Sequence, residues 1–423
     1  MLYLARGDTL KRALLVALTE PYIQDVQYVL DELEALAMTL DIHIIERFTQ
    51  SVTVRNARTL IGEGKTEEIK AYIEAHEITM VIFFQELSNT QIRNLEDLWD
   101  VVVLDRTLLI FELLASRAQT KEAKLLVSIA QLEYLLPRLS ALSVSFDRQQ
   151  GGIGLRGPGE TKLERSRRKI EATIQNRKND LKAMVEVRAR NRQQRRQGPL
   201  KNVALVGYTN AGKSTLLNRL LALNEWPDDS KQVLVKDQVF STLETQTRRI
   251  KHANQPPFTL TDTIGFVSHL PKTLHQAFAS TLEELKEADL IVVVLDLSST
   301  YIQEHIEATN TMLKLVGAEA IERLYVFNKL DLVEGSVYHG QTPSVHVSLT
   351  EDLQLDRLLE AIHERLFYDC VSSRVHLPYE HEELYYTLKT QAHILEESTT
   401  DTQRELLVKL SPYLQRLFKD YIQ

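Results

Sequence analysis

Cysteine is almost missing from this sequence. Cys370 is the only one among 423 residues, so no intrachain disulfide can form and a reducing cytosol suits the chain. Long apolar runs are missing too. The most apolar stretch, Leu290 to Leu297, is short and contains Asp296, whereas a membrane-spanning helix needs about 20 apolar residues. The N-terminus has no apolar segment closing on small residues, so no signal peptide and no membrane span are expected, and the expected location is cytoplasmic. Repeats and low-complexity tracts are also lacking. What is present, 43% hydrophobic and 26% charged residues, excludes wholesale disorder, and the length predicts two to four domains.

Acidic residues outnumber basic ones, 58 to 50, for a net charge of −8. That total hides an asymmetry. The stretch Arg156 to Lys201 holds fifteen Lys/Arg and five Asp/Glu, a local +10, which leaves −18 for the rest. A helix face laced with ion pairs is the ordinary explanation of a basic stretch. Here there are too few acids to pair the bases, which favours a polyanionic partner.

Hydrophobic periodicity divides the chain. Over residues 1–110, apolar runs at Ala13–Leu18, Ile42–Ile45, Met80–Phe84 and Val101–Leu104 alternate with helical spacing at Asp25–Leu40, Thr66–Ala75 and Asn89–Leu98. This predicts a small α/β domain with a parallel sheet. Over 111–197 the period becomes helical. One long helix is expected from Phe111 to Leu142, bent or ended by Pro137. A loop with five glycines between Gly151 and Gly159 follows, then a second helix with a heptad-like seam through Leu163, Ile170, Ile174, Leu181 and Val185. Together they predict an antiparallel helical hairpin with a glycine-rich tip. Strand–helix alternation returns over 198–368, and 371–423, with strand, helix, strand and helix signals in turn, reads as a small C-terminal α+β domain. The expected fold class is thus α/β, with a small parallel-sheet domain carrying the helical hairpin, a central, mostly parallel sheet in the third part, and a small C-terminal domain.

The strand Val203–Val206 runs into Gly207-Tyr208-Thr209-Asn210-Ala211-Gly212-Lys213-Ser214 and then a helix beginning at Thr215. Glycine, four residues, glycine, lysine, serine, in a strand–loop–helix context, is a phosphate-binding loop. Its N–H groups and the helix N-terminus would surround phosphate oxygens, Lys213 would reach the outer phosphates, and Ser214 would bind Mg²⁺. Downstream, Asp262-Thr263-Ile264-Gly265 follows a strand. Asp262 would hold Mg²⁺ through water, and the Gly265 N–H would meet the terminal phosphate. Asn328-Lys329-Leu330-Asp331 follows another strand. Asp331 can accept two hydrogen bonds from the guanine edge, Asn328 braces the loop and Lys329 lies across the base. Three weak motifs in this order predict a GTP-binding domain. A loop sensing the terminal phosphate is expected between them, in Phe240 to Arg248, with Thr242 as its threonine and a third contact to Mg²⁺. Asn210 carries two readings, a ligand that helps hold a monovalent cation such as K⁺, or a residue that braces the loop. Ras-like proteins orient water with a glutamine after the motif glycine. Phe266 stands there instead, which predicts slow hydrolysis until a partner supplies help and leaves the catalytic group unidentified.

These residues resemble those of the HflX-type translational GTPases over nearly the whole chain. The most specific stretch runs from Gly151 to Glu164, with Arg167-Arg168 after it. Ile61-Gly62-x-Gly64-Lys65, Asp105-Arg106-Thr107, Arg117-Ala118, Gln131-Leu132 and Tyr134 to Leu139 also look like that family's N-terminal part, and Phe240-x-Thr242-Leu243 and Asp262 to Val267 look like its switches. The resemblance implies a GTPase that binds the large ribosomal subunit, acts in ribosome splitting or rescue under stress, and is stimulated by the ribosome. Ser348 and Leu349 would make the last base contacts, although the family's usual Ser-Ala is here Ser348-Leu349. Arg156, Lys162, Arg165, Arg167, Arg168 and Lys169 would meet ribosomal RNA. A monomer is expected. Family members have been linked to ATP binding by the N-terminal domain, but Gly62-Glu63-Gly64-Lys65 is too short for a phosphate loop and reads as a turn into a helix. Two other readings remain at this level. One is a signalling GTPase using the hairpin as a partner surface, and the other an ATP-driven RNA remodeller with a second nucleotide site.

Overall fold

The computed structural model describes residues 11–19, 25–149, 165, 167–184, 200–224, 246–252, 255–263, 265, 283–333, 338 and 340–422. The chain divides into two units near residue 186.

In the first unit, β1 (Lys11–Thr19), β2 (Ile42–Ser51), β3 (Met80–Phe83) and β4 (Val102–Asp105) form a parallel sheet in the order β2-β1-β3-β4. The crossover helices are α1 (Val26–Met38), α2 (Glu63–His76) and α3 (Asn89–Trp99). Asp25 starts α1 by accepting the N–H groups of Gln27 and Tyr28, and Ser88 with Gln91 starts α3 through reciprocal capping bonds. Leu14, Val16 and Leu18 of β1 pack with Ile69, Ile73, Leu95 and Trp99, while Leu15, also fully buried, alternates to the opposite face. That face is covered by α1 and α4 (Arg106–Arg117). A strand buried on both faces has no polar alternation, which explains the unbroken apolar reading of β1.

The single helix expected from Phe111 to Leu142 is two helices. Helix α4 begins at Arg106, capped by Asp105, and ends where Ala118 turns extended. Helix α5 (Lys121–Gln149) restarts after Thr120, whose hydroxyl accepts the Ala123 N–H at 3.2 Å. The periodicity carries across a three-residue break because both helices face one core. Residues 110 and 111, where the sequence suggests a boundary, fall inside α4. Pro137 does not end α5. A proline removes a single intrahelical bond, which a helix of this length survives. The second arm, α6, is helical over residues 167–184. Its Ile174 is buried, and Lys178 meets Glu133 of α5 at 2.6 Å. Leu163, Val185 and the glycine-rich tip lie outside the described residues.

In the second unit the described strands are β5 (Lys201–Val206), β6 (Gln246–Ile250), β7 (Phe258–Asp262), β8 (Leu290–Asp296), β9 (Arg323–Asn328) and β10 (Ser344–His346), in the order β10-β9-β8-β5-β7-β6. All pairings are parallel except β6 with β7. The sequence reading treats Gln246 to Arg248 as part of a sensing loop, but they belong to edge strand β6. Its residues, Gln-Thr-Arg-Arg-Ile, lack apolar alternation, so local pattern did not mark it. Helices α7 (Lys213–Ala222) and α9 (Asp352–Leu366) bury Leu216, Leu217, Leu220, Leu355, Leu358, Leu359 and Ile362 against one face. Each such side chain contributes about 1.5–3 kcal/mol. Helix α8 (Ile302–Leu315) packs on β8 with Ile306, Met312 and Leu313 buried. The tail has one more strand than expected. β11 (Val371–Pro378), β13 (Gln403–Leu410) and β12 (His393–Thr399) form an antiparallel sheet in that order, covered by α10 (Glu382–Gln391) and α11 (Pro412–Leu417) around buried Phe418.

Candidate functional site

The parallel order of β5, β7, β8 and β9 brings their carboxyl ends to one edge of the sheet, where ligands bind in open α/β folds. Gly207 leaves β5 with φ +146°, and a Cβ there would lie 2.1 Å from the Val294 carbonyl oxygen. Only glycine fits so close to β8. Asn210 adopts a left-handed φ of 63° and Gly212 one of 100°. The loop then enters α7, which has no side-chain cap, so its first N–H groups are available to an anion.

Lys213 is buried. Its ammonium donates to the carbonyls of Gly207 at 3.1 Å and Tyr208 at 2.8 Å. Burial pushes its pKa down to about 8, and Asp262 works in the opposite direction. Gly265 lies over this ammonium, since a Cβ there would be 3.0 Å from Nζ and 2.8 Å from the Thr209 methyl. Ser214 Oγ donates to Asp262 Oδ2 at 2.7 Å, and the Thr263 hydroxyl donates to the Leu205 carbonyl at 2.6 Å. Ser214 and Asp262 are thus paired oxygen donors of the kind a hard dication takes, and both are buried.

At the other end, Asn328 donates its side-chain amide to the Ala211 carbonyl at 2.9 Å. Gly212 makes room for it, because a Cβ there would lie 2.3 Å from Asn328 Nδ2. Lys329 takes a left-handed φ of 63° and bonds Asp296 at 2.7 Å. Asp331 accepts the Ser348 hydroxyl at 2.6 Å, and Leu349 is buried beside Gly212.

One edge of the sheet therefore gathers Gly207 to Thr215, Asp262, Thr263, Gly265, Asn328, Lys329, Asp331, Ser348 and Leu349. Thr242, Ile264 and Phe266 lie outside the described residues. Chemically the arrangement offers a cradle of N–H groups, a buried cation, an oxygen pair for a metal and a carboxylate for a base edge. The sequence reading missed two contributors. Asp296 holds Lys329, and His305 of α8 stacks on Tyr208 with ring centroids 3.9 Å apart. Asp296 had a local signal, as the one charge ending an apolar run, but the His305 stack had none.

The other sites are less complete. Arg167, Arg168 and Lys169 are exposed on α6 and Arg165 is exposed ahead of it, with Arg167 bonded to Glu171 at 2.9 Å. An exposed pair of this kind contributes little to stability and leaves the arginine exchangeable to another anion. Arg156 and Lys162 lie outside the described residues. Gly62 precedes α2 and Glu63 to Lys65 form its first turn; Gly62 N–H donates to Gln50 and Lys65 pairs with Glu68 at 2.7 Å. Asp105 anchors the hairpin base, accepting the Tyr134 hydroxyl at 2.7 Å and the Leu108 N–H at 2.8 Å. Among the described residues no helix is long and apolar enough to cross a membrane.

A family model described as GTP-binding GTPase N-terminal matches residues 27–115, one described as GTP-binding GTPase middle region matches 117–195, and one described as 50S ribosome-binding GTPase matches 202–329. GTPase HflX of Caldanaerobacter subterraneus subsp. tengcongensis is 41% identical over 92% of this chain and 88% of its own. GTPase HflX of Escherichia coli K12 is 37% identical over 88% of this chain and 87% of its own. A solved GTP-binding protein from the archaeon Sulfolobus solfataricus, in complex with GDP, is 21% identical with a TM-score of 0.45, covering 83% of this chain and 98% of that one.

Proposed function

We propose that this chain, which belongs to the HflX family of GTPases, binds GTP at the β5–α7 loop and couples it to attachment to the large ribosomal subunit. The observation that carries the reading is the juxtaposition at one sheet edge of the Lys213 cradle with the Asn328–Asp331 loop, joined by the bond from Asn328 to Ala211. A polyphosphate site alone would not need Asp331, and a base site alone would not need a buried lysine.

In this reading the N–H groups of residues 207–214 and the Lys213 ammonium hold the β- and γ-phosphates. Lys213 exchanges the carbonyls of Gly207 and Tyr208 for phosphate oxygens. Ser214 and Asp262 fit Mg²⁺, which would neutralise charge developing on the phosphates, and Thr242 adds a ligand from the sensing loop. Asn210 is available for K⁺. Asp331 selects guanine, with Ser348 and Leu349 closing the pocket. Gly265 would sense the terminal phosphate, so GTP and GDP favour different arrangements of the loop that follows.

The phenyl ring of Phe266 cannot orient water, so turnover is slow until the ribosome orders a catalytic group. The exposed arginines of α6, with Arg156 and Lys162, would contact ribosomal RNA. Splitting or rescue of ribosomes under stress, a monomeric state and a cytoplasmic location complete the proposal. The burial of Ile174 and the Lys178–Glu133 pair support a seam spent on packing one arm against the other, not on a signalling partner.

Steady-state GTP turnover tests this, alone and with purified large subunits. Turnover is expected to be slow alone and at least a hundredfold faster with subunits, since partner-supplied groups are worth roughly 10³–10⁵ in rate. Fast turnover alone, or no stimulation, would count against it.

A further inference from the structure

Asp296 closes β8 and lies in register with Asn328 of β9. Both its oxygens are engaged. One accepts the Lys329 ammonium at 2.7 Å. The other accepts the Ser298 N–H at 3.0 Å and the Ser298 hydroxyl at 2.6 Å. The side chains of Lys329 and Asp296 are 28% and 19% exposed, so solvent screens the pair only in part.

A lysine stem ordinarily samples many rotamers, and ordering one is costly. Lys329 is constrained at both ends. Its backbone takes a left-handed φ of 63°, just after Asn328 is anchored on the phosphate loop, and its ammonium is held by Asp296. The four methylenes between those anchors are thereby ordered two positions along the chain from Asp331. We propose that Asp296, aligned by Ser298, is a positioning residue for nucleotide: it fixes the Lys329 stem as a preformed cover for one face of the base whose edge Asp331 reads. The inference rests on the guanine-nucleotide reading of this site.

The cover touches the base and not the phosphates, so losing its anchor weakens GDP and GTP alike. Selection against adenine stays with Asp331 and is retained. Stopped-flow dissociation of N-methylanthraniloyl GDP and GTP, on the full chain, measures this. Asp296→Asn is expected to raise both dissociation rates about tenfold, the scale of one partly screened charge-assisted hydrogen bond. KM for GTP rises in step, while kcat at saturation moves less than twofold. Lys329→Met keeps a stem without the charge and is expected to match Asp296→Asn, and the double variant to add nothing further. Asp296→Glu restores most of the loss. Dissociation rates within twofold of wild type for Asp296→Asn, additive effects in the double variant, or collapse of the GDP-over-ADP preference would overturn the proposal. Failure of the wild-type chain to bind GDP would instead remove the nucleotide reading itself, which the first titration decides.

Discussion

Replacing Gly212 by alanine puts two physical costs on one atom. The residue adopts φ +100°, a conformation that L side chains enter at about 1–3 kcal/mol. The added Cβ would also lie 2.3 Å from Asn328 Nδ2, so that amide must leave the Ala211 carbonyl. Asn328 is buried, and breaking a buried hydrogen bond costs about 1–3 kcal/mol more. The sum is about 2–6 kcal/mol, a fall in melting temperature of roughly 4–24 °C at 2–4 °C per kcal/mol. A thermal melt of the nucleotide-free protein measures it. The diagnostic is a double-mutant cycle with Asn328→Ala, which clears the colliding amide. There Gly212→Ala should cost only its backbone part. A melting temperature within 2 °C of wild type (roughly 1 kcal/mol or less), or an identical cost in both backgrounds, would mean that Gly212 is not what makes room for the Asn328 amide.

Two further outcomes follow from ionisable groups withdrawn from water, Lys213 fully and Cys370 in part. The Lys213 pKa, lowered to about 8 by burial, lies below the unfolded value near 10.4. The unfolded chain therefore binds more protons between those values, and the cost of burying the charge, about 3 kcal/mol, is felt in full below pH 8 and fades as pH rises to 10.4. Relative to Lys213→Met, the nucleotide-free wild type should gain stability between pH 8 and pH 10 in chemical unfolding, and parallel curves would contradict this. Burial also pushes the Cys370 thiol up to about 11. Iodoacetamide at pH 8 should label the native protein about a hundredfold more slowly than free cysteine, with the ordinary rate restored in denaturant.

Much of this structure was legible in the sequence because its signals are local. Strands buried on both faces, such as Leu290 to Leu295, declare themselves by composition, and the loop from Gly207 to Ser214 by its spacing. What escaped was set by tertiary context. β6 pairs through backbone atoms and carries two arginines, so no alternation marked it. The break at Ala118 to Thr120 hides inside a continuous periodicity, although Thr120 is a capping residue. The bonds that organise the site, Asn328 to Ala211 and Lys329 to Asp296, join residues 117 and 33 positions apart. Motif spacing suggested the first, and nothing local specified the second. In the first unit, the buried pair of Arg106 with Glu32 and the bond from Tyr134 to Asp105 likewise depend on helices that meet only in the folded chain.

Sedimentation through a gradient with purified large ribosomal subunits is the most direct measurement of the link between nucleotide and basic arm. The protein should travel with the subunits when loaded with a non-hydrolysable GTP analogue and much less when loaded with GDP. Reversing Arg165, Arg167, Arg168 and Lys169 to glutamate should abolish the association at moderate salt while nucleotide affinity stays the same. Equal association by that variant, or association indifferent to the nucleotide, would contradict it.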